Sequence, residues 1–77
     1  MEDMMKYRLI YICREERGGR AQCVYDRDWE GLDFAKGFCA SYHQMFGHQH
    51  LGVPHILDVK HGIWYWWDGV AFQDVCG

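Results

Sequence analysis

The sequence predicts an α+β domain: a four- to five-stranded antiparallel sheet with a single helix packed on one face, in the order β-β-α-β-β-(β). Three observations predict it. β-rich runs at 6–13, 21–25, 55–60 and 63–67 are separated by turn signals, the pattern of successive strands. One helical apolar stripe lies between the second run and the third, and no other reaches that length. The 77 residues contain one proline and no linker, repeat or low-complexity stretch. Residues 1–77 therefore read as one domain, near the lower size at which a core supports itself.

Taken in order, residues 6–13 alternate Tyr7, Leu9, Tyr11 and Cys13 against Arg8, Ile10 and Ile12. Both sets are largely apolar, which predicts a central strand. The charged segment 14–20 carries Gly18-Gly19 near its end, which suits a hairpin connection to a strand at 21–25. Asp28 is placed to cap a helix, with Glu30 and Asp33 at the positive end of its dipole. Leu32, Ala35, Cys39, Tyr42 and Phe46 then recur as one stripe, widened by Phe34, Phe38 and Met45. Gly47 stands where a left-handed C-cap belongs. A loop leads to the strand at 55–60, His61-Gly62 gives a tight turn, and Asp68-Gly69 a further one before a short strand at 70–75.

The totals exclude several function classes. A net charge of −3 disfavours nonspecific DNA binding, because phosphate affinity comes from clustered Lys and Arg. No apolar run approaches the ~20 residues that span a bilayer, and no signal-peptide pattern opens the chain. The four cysteines are accordingly expected as reduced thiols, although Cys13 and Cys23 could face each other across the first hairpin. Cys39 and His43 are neighbours on the helix, and His48 and His50 follow it. That spacing matches no standard zinc module, so neither metal nor cofactor is expected. Ser41, His43 and Asp58 exist as residue types without a motif to order them, and no Gly-rich phosphate loop precedes a helix. No catalytic residue is assigned, and the chain is expected not to be an enzyme.

Ile63–Trp67 is the most informative stretch. Side chains alternate along a strand, so Ile63, Tyr65 and Trp67 share one face while Trp64 and Trp66 share the other. A single helix covers one face of a sheet, so one aromatic set stays outside. Large apolar groups left exposed mark a contact surface, and Trp, Tyr and Arg dominate binding hot spots. Arg14, Arg17, Arg20 and Arg27 gather around the first hairpin, interspersed with acids. The candidate partner-binding residues are Trp64, Trp66, Trp67, Arg17, Arg20 and Lys36, with Tyr65 and His43 behind them.

Residues 32–77 resemble small phage-encoded inhibitors of type I-F CRISPR surveillance complexes. The resemblance lies in Leu32-x-x-Ala35-Lys36, Gly47 closing the helix, Gly62-x-Trp64, Asp68-Gly69, an aromatic at Phe72 and Asp74. It implies a monomeric helix-on-sheet protein in the host bacterial cytoplasm. Such a protein docks on the effector's backbone subunits and blocks target-DNA recognition. The family uses helix cations for this; here only Lys36 stands at such a position, with Gly37 and Ser41 at the neighbouring ones. Two other readings remain open: a homo-oligomerising or scaffold protein, and a single-stranded nucleic-acid binder stacking bases on Trp64 or Trp66, the latter disfavoured by the surplus of acid.

Overall fold

Every second residue from Tyr7 to Tyr11 is a large apolar group, and burying that row sets the geometry of the molecule. A computed structural model describes residues 5–14 and 19–74. The strands are β1 (Met5–Cys13), β2 (Arg20–Trp29), β3 (Val53–Asp58), β4 (Ile63–Trp67) and β5 (Phe72–Asp74). The helix α1 spans Leu32–Phe46 and runs into a single 3₁₀ turn, Gly47–Gln49. The five strands form one antiparallel sheet in the order β2-β1-β3-β4-β5, and α1 lies over β1 with β2 and β3 to either side. The α+β architecture is as the sequence predicts, and β1 is interior to the sheet.

Register sorts the side chains into rows across the sheet. Tyr25, Leu9, Ile56 and Tyr65 stand opposite one another in turn, on the face beneath the helix. Leu9, Ile56 and Tyr65 join Tyr7, Tyr11, Trp29, Ala35, Cys39 and Phe72 in the core, with Tyr25 half-buried against it. The other face carries the row Cys23, Ile10, His55, Trp66 and Gln73, beside Asp26, Arg8, Leu57 and Trp64. Ile10 is buried yet lies outside the core cluster, because its side chain is on this second face.

Several boundaries differ from the sequence reading. β2 continues to Trp29, so Asp28 is a strand residue rather than a helix cap. Burying Trp29 against Phe38 (ring centroids 5.1 Å apart) outweighs the local capping signal. The helix begins after Gly31, whose carbonyl accepts the Ala35 N–H at 3.2 Å. Gly47 is right-handed, not a left-handed cap. Its need for glycine is steric, since a Cβ there would fall on the His43 imidazole. Gly52 has φ +95° and sits so close to the Ile12 carbonyl that a side chain would collide with it, which fixes the entry to β3.

β3 runs from Val53 to Asp58 rather than over 55–60, and β5 starts at Phe72 rather than at 70, the expected end at 75 lying outside the described residues. Asp58 ends β3 by accepting the His61 backbone N–H at 3.1 Å and meeting its Nδ1 at 2.9 Å. Asp68 likewise holds the next turn, accepting the Val70 and Ala71 N–H groups at 2.8 Å. Cys13 pairs with Arg20 and Cys23 with Ile10, so the two thiols lie on opposite faces and are free. The facing pair that a simple hairpin register suggests does not form. The register set at the hairpin, unbroken from Cys13–Arg20 to Ile10–Cys23, puts the two cysteines three positions apart and so on opposite faces.

Candidate interaction surface

Strand parity and helix placement together leave one sheet face uncovered. Trp64 and Trp66 project from β4 on that face, and Trp66 keeps 42% of its surface exposed. Beside them β3 contributes Val53 (46% exposed), His55 and Leu57, while β1 contributes Ile12. His55 packs edge-on against Trp64, with ring centroids 6.3 Å apart. Its Nδ1–H donates to the Val53 carbonyl at 2.9 Å, which leaves Nε2 as an acceptor in the neutral ring. Ile12, Arg14, His55, Trp64 and Trp66 line an open trough of about 560 Å³.

Charges on the same face are unevenly engaged. Asp26 lies 3.3 Å from Arg8 and 3.8 Å from Lys6. Arg8 Nε is buried without a well-aligned hydrogen bond even though Asp26 is near, so that contact is electrostatic more than directional. Arg14, by contrast, has no ion pair among the described residues.

The other sequence-predicted residues lie elsewhere. Tyr65 is 8% exposed beneath the helix, with Lys36 Nζ 5.0 Å above its ring. Trp67 is half-buried on the same side, edge-on to His43 at 5.3 Å and against Phe72 at 5.0 Å. Lys36, His43, Tyr65 and Trp67 thus form a group apart from Trp64 and Trp66. Arg20 opens β2 opposite Cys13, and Arg17 lies outside the described residues. Arg27 is not at the hairpin: its guanidinium stacks 4.3 Å over Trp29, near the helix start. Ile12, Arg14, Val53, His55 and Leu57 went unselected by sequence reasoning. Strand parity within β1 points to Ile12, Arg14 lies just past the end of that strand, and the β3 members require the register.

His43 has a structural task. Burial pushes Tyr11 up to about 12, so its hydroxyl stays protonated, and it shares a hydrogen bond of 2.8 Å with His43 Nδ1. His50 stacks on Tyr11 at 4.6 Å and bonds the Tyr42 hydroxyl at 2.7 Å and Gln22 Oε1 at 3.3 Å. These contacts tie the end of α1 to β1 and β2. Cys39 is buried, with its thiol pushed up to about 12 by desolvation, which keeps it unreactive. No group of three or more His, Cys, Asp or Glu converges among the described residues.

A second apolar strip runs along the flank of α1. Phe34 and Met45, 63% and 61% exposed, do not widen the buried stripe as the periodicity suggests. They stand clear of the sheet, because the helix is centred on Ala35 and Cys39.

Comparison with protein families, curated proteins and solved structures found no match. No described helix is long and apolar enough to cross a membrane.

Proposed function

We propose that this chain is a non-catalytic, protein-binding inhibitor that presents its helix-free sheet face to a subunit of a bacterial CRISPR effector and thereby blocks target-DNA recognition. The observation that carries the docking part is the sheet face that the helix leaves open, where exposed Trp66 stands beside half-buried Trp64 and the aliphatic Ile12 and Val53. Keeping apolar area in water costs roughly 25 cal/mol per Å², so a small domain gains by covering such a face with a partner. Tryptophan concentrates binding energy in this setting. The choice of partner class rests on the resemblance of residues 32–77 to phage-encoded inhibitors of these complexes. The proposed contact set is narrower than the sequence suggested. It keeps Trp64 and Trp66, adds Ile12, Arg14, Val53 and His55, and moves Tyr65, Trp67, Lys36 and His43 to supporting the fold.

The test is co-purification of the tagged protein with a type I-F surveillance complex, followed by target-DNA binding by that complex. Capture with loss of DNA binding, both abolished by Trp66→Ala, is the expected result. If the folded protein captures no effector subunit and cells retain full interference, the proposal fails.

A further inference from the structure

The trough beside Trp66 has a chemical bias that the whole chain lacks. Acids outnumber bases, 11 to 8, over the sequence, yet the described residues that line the trough are Ile12, Arg14, His55, Trp64 and Trp66, with no carboxylate among them. Arg14 is unengaged among the described residues, whereas Lys6 and Arg8 on the same face are both held by Asp26. A guanidinium at one end of an aromatic and aliphatic floor matches a ligand carrying an isolated carboxylate beside apolar groups.

We infer that the trough takes an extended, acidic segment of a protein partner, its carboxylate on Arg14 and its neighbouring apolar side chains on Trp66 and Ile12. His55 Nε2 is the matching acceptor for a backbone N–H of that segment. The inference rests on the docking role proposed for this face and adds the partner's chemistry. A single-stranded nucleic acid fits less well, because it brings a phosphate with every nucleotide. Beyond Arg14 those phosphates meet Lys6 and Arg8, which share the Asp26 carboxylate, itself an anion that repels a phosphate.

The experiment uses the full chain, ¹⁵N-labelled, and follows its tryptophan indole N–H signals. The probes are an acetylated, amidated hexapeptide alternating aspartate and leucine, its lysine–leucine counterpart, and an oligothymidine strand. The acidic peptide is expected to shift the Trp64 and Trp66 signals saturably and leave that of buried Trp29 in place. Arg14→Gln should weaken it about fivefold, the upper range for an exposed ion pair, and Arg14→Lys should retain most of the binding. Equal response to the lysine peptide, no saturable shift, or indifference to Arg14→Gln overturns the inference. So does a stronger response of the same indoles to oligothymidine, which assigns the face to nucleic acid. If Trp66→Ala abolishes effector capture while Arg14→Gln leaves it intact, docking on this face stands and the acidic segment is wrong.

Discussion

Trp64, Trp66 and Trp67 are near neighbours in sequence and have three different environments. Trp66 stands in the open row, Trp64 is half-covered by His55, and Trp67 packs between His43 and Phe72. The division between faces is legible in the sequence because parity is a property of any strand. Which face the helix covers is not, since that depends on the pairing of β4 with β3 and of β3 with β1. The same limit applies to Lys36 and His43, whose neighbours in the fold the sequence does not give. Helical periodicity orders positions around an axis without saying which strand each will meet. The difference in environment is measurable by denaturation. Trp66→Ala should cost about 1 kcal/mol of stability or less, as for a partly exposed site outside the core, and roughly 2 kcal/mol or more of partner binding. Ile56→Ala, at a site with no exposed surface, should cost ~2–5 kcal/mol. Equal destabilisation by the two variants would place Trp66 in the core and remove the basis for the open face.

At the scale of elements, the junction between β2 and α1 shows local and tertiary preferences in conflict. Asp28, Glu30 and Asp33 read as a helix start, yet the strand persists through Trp29 because that ring is buried against Phe38 and under Arg27. At the other end α1 is held by side chains, and this makes its docking sensitive to acid. His43 is held below its ordinary 6.5 by burial, and secondarily by the nearby His50. Between that lowered value and 6.5 the unfolded chain binds the proton and the folded chain does not. Stability therefore rises with pH through that window. It is complete above 6.5 and is lost as pH falls to the folded-state value. In the protonated ring Nδ1 can only donate, so the Tyr11 hydroxyl must accept from it. Asp58 adds a separate loss at lower pH. Burial alone would raise its pKa, but the hydrogen bonds from the His61 side chain and backbone outweigh that and hold it below 3.8. Its stabilisation is present above 3.8 and disappears as pH falls through the folded-state value. Melting temperatures recorded from pH 8 to 5 should fall toward acid in the native chain and fall less in His43→Gln. An unchanged slope in the variant would assign the dependence to other groups.

For the whole molecule, the sheet order β2-β1-β3-β4-β5 places β3 beside β1, so the chain closes its core only when residues far apart in sequence pair. Element types were legible from local pattern. The strand order, and with it the row from Ile10 through His55 to Trp66, was not, because it is set by long-range pairing that no local signal encodes. The outcome is a lopsided body, with the helix on one side of the sheet and the aromatic face on the other. Two occupants compete for such a face: a different protein, or a second copy of this chain through a self-complementary contact. Light scattering separates them, because a twin must be bound at all times whereas an effector subunit is met only when present. Arg14 lines the trough with no carboxylate among the described lining residues, so two copies facing each other across a twofold axis near the trough bring two guanidinium groups together, an arrangement that disfavours self-association. The purified protein should therefore scatter as a monomer over a wide concentration range, and Trp66→Ala should leave its mass unchanged. A concentration-independent dimer that Trp66→Ala dissolves would show that the tryptophan face is already occupied by its twin, and no effector would then need to cover it.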